Sequence, residues 1–248
     1  MSDDAELGLL RILVLQIRDD PAVELQERDC FVELSGLSPD QFRWRNLVAE
    51  PQISWMDVEG FDAVVIGGAG AHSVTEEYPF TAPLARVVER LAAARRPLFG
   101  SCWGHQFIAK ALGGEVLTDL ERKELGTLPI SLTEEGSRDP WLAGLPRSFG
   151  VQLGHHDRVT RLPANAIELA FSALCPNQAF RLADAPVYGA QFHVELDKPR
   201  MLARAKVYGE TYLSEAGDLA KLDAALGPTP ESATLFSRFL ERVVVSAT

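Results

Sequence analysis

Cysteine is scarce: the chain of 248 residues has three, Cys30, Cys102 and Cys175. An odd number at long spacings, with no CxxC pair, excludes a disulfide framework and a cysteine-based zinc site. Basic residues are also in deficit, 24 lysines and arginines against 35 acids, a net charge of −11. That balance argues against nucleic acid and anionic membrane surfaces as partners. There is no long apolar run, since "LLRILVLQI" is interrupted by Arg11 and is far too short to span a bilayer. The opening "MSDDAEL" carries acids where a secretory signal has a basic flank. With three unpaired thiols, the compartment expected is a reducing cytoplasm. Internal repeats, Pro/Gly/Ser linkers, a P-loop and a GxGxxG are all missing, so a bound nucleotide is not suggested.

What is present is an alternation. Positions 11–18, "RILVLQIR", form an apolar, β-branched run suited to a strand buried on both faces. Positions 22–37 have helical spacing and a stop at Gly36. "FRWRNLV" reads as a second strand, and "FDAVVIGGAGAHS" (61–73) as a third that runs into glycines. An amphipathic helix follows over 78–96, then the strand "PLFGSC" and the short helix "GHQFIAKALGG". This rhythm predicts an α/β fold, an open, mostly parallel sheet with helices on both faces. Between "GEVLTD" and "YGAQFHVE" short extended runs and turns dominate, and from 197 onward the text is helical, broken at "GPTP". One domain over 1–248 is expected, with its core at 11–196 and a helical C-terminal extension at 197–248.

Cys102 stands between Gly100 and Gly104 at a strand-to-helix junction. Such an elbow exposes its central residue at the carboxyl end of the sheet, where open α/β sheets bind ligands. A helix N-terminus also favours thiolate over thiol, and the amide of Trp103 faces the same space. The bland alternative is a structural cysteine in an α/β core. A thiolate nucleophile needs a base and the base an orienter. In "YGAQFHVEL" a short apolar strand ends in His193, and in extended chain the i+2 residue, Glu195, shares its face and can accept from one imidazole nitrogen. A second oxyanion donor is available from "IGGAG" (66–70), which equally reads as an ordinary βα turn.

Taken together, these residues resemble the class I, triad-type glutamine amidotransferases. "GSCWGHQ" is similar to that family's G-x-C-x-G-x-Q elbow and "GAQFHVE" to its G-x-Q-F-H-P-E segment. "VIGGAGAHSV" and "LGHHDRVTRLP" are similar to the glycine turn and the histidine-and-aspartate loop of the amidotransferase domain of GMP synthase, and "QAFRL" is familiar from stand-alone members. The resemblance spans about 11 to 196. It implies a flavodoxin-like fold, Cys102 as nucleophile, His193 as general base and then acid, and Glu195 as orienter. It further implies an oxyanion hole from the amides of Gly68 and Trp103, and substrate contacts from Gln106 and from the backbone at His155 and His156. Neither a metal nor an organic cofactor is implied. Adjacent side chains diverge in extended chain, which argues against metal binding by the histidine doublet. Two departures stand out: Val194 replaces the usual proline, and "GGAGAHS" lacks the proline that follows the glycine pair in relatives.

The substrate implied is L-glutamine or another γ-glutamyl compound. No ATP-using segment accompanies the elbow, so the resemblance points to a stand-alone unit that releases ammonia or passes it to a separate synthetase. Two rivals carry the same residues. A γ-glutamyl peptidase would use the same triad on larger leaving groups, and a noncatalytic regulatory module would keep the fold alone. Cysteine-elbow hydrolases and DJ-1-like proteins share the elbow but not "FHVE".

Overall fold

A computed structural model describes residues 6–209 and 218–247. The first five residues of the acidic start and positions 210–217 and 248 of the helical tail lie outside the described residues. In chain order the strands are β1 (Ile12–Ile17), β2 (Phe42–Asn46), β3 (Ala63–Ala69), β4 (Leu98–Ser101), β5 (Glu115–Thr118), β6 (Glu124–Leu132), β7 (Ser148–His155), β8 (Asp157–Arg161), β9 (Ala166–Phe171), β10 (Ala179–Leu182) and β11 (Val187–Ala190). The helices used below are α1 (Pro21–Ser35), α2 (Thr81–Ala93), α3 (Trp103–Ala111), α4 (Lys198–Val207), α5 (Asp218–Ala225) and α6 (Leu235–Phe239).

Among the described residues, nine strands share one sheet in the order β2-β1-β3-β4-β11-β10-β9-β6-β7, and β5 pairs with β8 separately. From β2 through β4 to β11 the pairing is parallel. From β11 to β7 it is antiparallel. The α/β sheet expected from the sequence is therefore present, with the strand-rich middle of the chain extending it on one side.

Alternation along the parallel strands sorts their side chains onto two faces. Ile12, Val14, Val65 and Phe99 join a core with Phe31 of α1 and Phe236 and Phe239 of α6. Leu13, Leu15, Val64, Ile66 and Leu98 join the opposite core with Leu84 and Val88 of α2 and Phe107 and Ile108 of α3. Burial on both sides explains why these strands read as unbroken apolar runs. The C-terminal tail thus completes one face of the sheet, with the Phe31 and Phe236 rings 4.9 Å apart and the Trp141 indole donating to the Leu235 carbonyl at 2.8 Å.

Local boundaries follow from capping. Asp20 accepts from the amides of Ala22 and Val23 at the start of α1, and Gly36 ends that helix at φ 73°. The amphipathic helix predicted over 78–96 is shorter, 81–93, because Arg95 turns left-handed at φ 54°. The strand expected to end in His193 stops at Ala190. Beyond it the Gln191 amide donates to the Gln178 carbonyl, and His193 makes a single bridge to Gln152. The chain leaves β11 to reach β7, and His193 sits on that crossing.

Candidate active site

β4 delivers Cys102 to the N-terminus of α3 in a strained backbone, φ 50° and ψ −100°. Its amide is fixed by the Ala190 carbonyl at 2.8 Å, and its carbonyl caps the first turn through the Gln106 amide at 3.2 Å. The flanking glycines are steric necessities. A Cβ on Gly100 would lie 2.4 Å from the Gly104 carbonyl carbon, and one on Gly104 would lie 2.2 Å from the Ile66 carbonyl oxygen. The helix therefore starts directly against β3 and β4. A strained residue so over-determined by its surroundings is characteristic of a functional elbow.

Cys102, His193 and Glu195 are all buried. The His193 Nδ1–H donates to Glu195 Oε1 at 2.7 Å, while the Cys102 sulfur, near the same imidazole, contacts the Gly154 carbonyl at 4.0 Å and accepts from Gln191 Nε2 at 3.8 Å. The i+2 pairing expected of an extended strand is made across a turn. Glu195 accepts two further hydrogen bonds, from Ser101 Oγ at 2.7 Å and from Arg204 Nη1 at 2.9 Å. Burial on its own would push the Glu195 carboxyl up. The charge and hydrogen bond of His193, with Arg204 and Ser101, overcome it and hold the group well below the usual carboxylate range. Burial would likewise lower the His193 imidazole, but Glu195 and the Cys102 sulfur override it and push it up to about 9.

Gly68 closes the other side. The β3–β4 ladder ends at the pair Ile66 and Gly100, so β3 runs on past its partner beside the elbow. A Cβ on Gly68 would lie 3.0 Å from His193 Cε1, 3.2 Å from Arg18 Nη2 and 3.7 Å from Cys102 Cβ. Gly67 is as tightly held, its imagined Cβ 2.8 Å from the Glu27 carboxylate. Arg18 and Glu27 form a fully buried ion pair beneath this turn.

A cleft of about 260 Å³ opens over Cys102, lined by residues 69–73, Trp103, Gln106, Thr118 and the His155–Asp157 segment. Gln106 lies at its floor with both amide protons engaged, by the Asp157 carbonyl at 2.7 Å and by Gln191 Oε1 at 3.1 Å. What it can present to a ligand is its carbonyl oxygen. The His155 ring is turned aside, with Nδ1 on the Asp157 carbonyl at 2.9 Å and Nε2 on Glu124 at 3.1 Å. Its neighbour His156 is half-buried and lines the same cleft. Among the described residues no group of three or more His, Cys, Asp or Glu side chains is arranged to hold a metal.

Sequence reasoning passed over Asp157, although it lies in a quoted motif. Its carboxylate accepts from Ser73 Oγ at 2.6 Å, the Val74 amide at 3.3 Å and Thr118 Oγ1 at 2.6 Å, pinning the loop beyond Gly68 to the cleft wall. It also passed over Arg18, Ser101 and Arg204. Ser101, adjacent to Cys102, carried a signal by position, whereas the two arginines carried none.

The site is thus an α/β sheet with a positive-φ cysteine elbow beside a buried, hydrogen-bonded His–Glu pair. The chain matches the model of the glutamine amidotransferase class-I family over residues 32–201, more than half its length, and belongs to that family. It is 39% identical over 111 residues to a subunit of the glutamine-hydrolyzing GMP synthase of Pyrococcus abyssi, covering 45% of this chain and 57% of that protein. The corresponding protein of Methanothermobacter thermautotrophicus is 38% identical over 113 residues, 46% of this chain and 59% of its own. The glutamine-hydrolyzing GMP synthase of Vibrio atlanticus matches at 34% over 135 residues, 54% of this chain and 24% of that one. The matched region thus spans under two thirds of these curated relatives. A glutamine amidotransferase structure from Thermotoga maritima shares the fold with a TM-score of 0.74 at 23% identity, covering 94% of this chain and 98% of that one. A glutamine amidotransferase from Methylobacillus flagellatus does so with 0.70 at 18% identity, covering 95% and 96%. The family model ends at residue 201, whereas these structural matches cover 94% and 95% of the chain. No described helix is long and apolar enough to cross a membrane.

Proposed function

We propose that this cleft hydrolyses the side-chain amide of L-glutamine through a γ-glutamyl thioester on Cys102. The observation that carries the reading is a buried imidazole bonded to Glu195 and held close to Cys102 beside a glycine turn. The thiolate adds to the amide carbon, and the C=O electron pair moves onto oxygen. The amides of Gly68 and Trp103 receive that oxyanion, Trp103 from the open N-terminal turn of α3. As the oxyanion collapses, the carbon–nitrogen bond breaks and imidazolium His193 gives its proton to the leaving nitrogen, releasing ammonia. Neutral His193 then takes a proton from water, whose oxygen attacks the thioester. Glutamate leaves, and the proton returns to the Cys102–His193 pair.

Glu195 keeps the imidazole oriented and stabilises its charged form. Gln106 lies beside the bound glutamine, and the backbone around His155 and His156 contacts the substrate's α-amino end. The same chemistry would serve γ-glutamyl amides with larger leaving groups. In this reading residues 1–248 act as one unit in the cytoplasm, and a separate synthetase consumes the ammonia. An intact Cys102, His193 and Glu195 speaks against a purely regulatory module.

Purified protein incubated with L-glutamine should release ammonia and glutamate in equal amounts, and Cys102→Ser should not. Parallel assays with γ-glutamyl dipeptides and with added cell extract test the leaving group and the partner. Release from neither substrate class, with or without extract, would sink the proposal.

A further inference from the structure

We propose that Arg204, on the helix that follows the His193–Glu195 segment, is a positioning residue that fixes the Glu195 carboxylate and shares its charge with His193. The inference rests on the reading of Cys102, His193 and Glu195 as the reacting set.

Glu195 is wholly buried. The terminal torsion of a glutamate is broad and soft, so a single partner would leave the carboxylate plane free to rock. Here Oε1 takes both the His193 Nδ1–H and the Arg204 Nη1–H, and Oε2 takes Ser101 Oγ. Three donors from three elements fix the plane.

Arg204 is itself anchored. Its Nε donates to Gln26 Oε1 at 3.1 Å, and Gln26 Nε2 donates to the Arg200 carbonyl at 3.1 Å, which ties α4 to α1. Met201 and Ala205 pack in a core with Cys30 and Leu196. An arginine whose side chain is 6% exposed is costly to bury unless its partner repays the desolvation. That partner is Glu195. Arg204 lies beyond residues 32–201, where the family model matches.

The chemistry gives the contact a purpose. His193 must accept and surrender a proton in each half of the cycle. A carboxylate bonded to the imidazole alone would hold the imidazolium more firmly, and a second cation on the same oxygen loosens that hold. The other charged or titratable groups around the pair are differently engaged. Arg18 of β1 is matched by Glu27 of α1, and Arg200 of α4 by Asp197 and Glu33. Burial pushes the Cys30 thiol of α1 up to about 12, so it stays neutral. Tyr208, past the end of α4, packs against Gly70. Cys102 lies near the imidazole, with its sulfur by the Gly154 carbonyl and Gln191 Nε2.

The test needs no assumption about substrate. Alkylation by iodoacetamide, followed at Cys102 by peptide mass, is measured against pH in wild type, Arg204→Gln and Arg204→Lys. Losing the cation strengthens the hold of Glu195 on imidazolium and removes a positive charge that favours thiolate, so in Arg204→Gln the acid limit of thiolate reactivity should move to higher pH. Arg204→Lys should restore it. With L-glutamine, kcat of Arg204→Gln should fall roughly ten- to a hundredfold, the cost of one hydrogen bond to a charged group expressed as a rate, with KM little changed. An unmoved acid limit in Arg204→Gln, or equal shifts in both variants, would overturn the proposal. Should Arg204→Gln fail to fold, Gln26→Leu frees Arg204 Nε and should move the limit the same way by less; no movement there overturns it equally. Wild type that alkylates with the expected profile but leaves glutamine intact would refute the substrate and leave Arg204's role standing.

Discussion

His105 and His193 are both buried, yet their environments drive them apart. His105, on α3 behind the elbow, packs beside Phe180 with ring centroids 5.0 Å apart and Gly189 close against Nδ1. Burial, aided by the nearby charge of His155, pushes it down to about 3. His193 is buried as well, but Glu195 and Cys102 push it up to about 9. The contrast extends to the two walls around them. The elbow wall is built by steric exclusion, backbone against backbone at Gly100, Gly104 and Ile66. The His193 wall is built from charge, through Glu195, Arg204 and Ser101. An added methyl should break the first, and a lost charge the second.

The largest effect is expected where the walls meet. Cys102→Ser should lower turnover on the order of a millionfold, because the reacting thiolate is gone. Cys30→Ser and Cys175→Ser should leave turnover nearly intact, since one lies in a helix core and the other in the β9–β10 loop. Initial-rate assays of the three variants would decide, and equal losses would refute the assignment.

Gly68→Val comes next. The new Cβ must stand between His193 Cε1 and Arg18 Nη2, at 3.0 and 3.2 Å. Both neighbours are side-chain ends, so the fold should survive while the oxyanion site is distorted. Loss of one oxyanion donor corresponds to about a hundred- to a thousandfold in kcat. Alkylation of Cys102 by iodoacetamide should persist, because that reaction develops no oxyanion. A folded variant with normal turnover would make "IGGAG" a turn and nothing more.

On the elbow wall, Gly104→Ala should destabilise the protein by on the order of 3 kcal/mol or more, since backbone rather than a flexible side chain must move. Gly113→Ala is the control: its φ is 89° and nothing lies within 4 Å of its Cβ, so only the left-handed strain remains, roughly 1 kcal/mol. Denaturant melts of both variants would measure the difference. Similar losses would mean that the elbow has more room than its distances indicate.

The two walls also differed in how far the sequence disclosed them. Cys102 between glycines was legible because an elbow needs particular residue types at fixed offsets. The His193–Glu195 pair was legible through the i+2 relation, even though a turn, rather than a strand, brings them together. The parallel strands were legible because burial on both faces leaves unbroken apolar runs. Arg204, Arg18 and Glu27 were hidden, since charges on helices ordinarily face water and nothing local marks a buried one. The covering of the Phe31 and Phe99 face by Phe236 and Phe239 was hidden too. It is a long-range contact that periodicity does not encode.

The two histidines make a last, smaller prediction, about stability and pH. His193 binds its proton more tightly folded, about 9, than at its ordinary 6.5. Its contribution is therefore fully present below about 6.5 and is lost as pH rises toward about 9. His105 is the reverse. Held near 3 when folded, it favours the neutral ring, so its contribution is present above about 6.5 and fades as pH falls toward 3. Glu195, held low, adds to the acid-side loss below its ordinary 4.5. Stability should thus peak near pH 6.5 and decline on both sides for different reasons. Glu195→Gln separates them: without the carboxylate His193 loses its main reason to stay charged, and the decline between pH 6.5 and 9 should flatten. The His105 part of the acid-side decline should remain. Urea melts at a series of pH values would measure both limbs. An alkaline limb unchanged in Glu195→Gln would mean that Glu195 is not what holds the proton on His193, and the charged wall would need another origin.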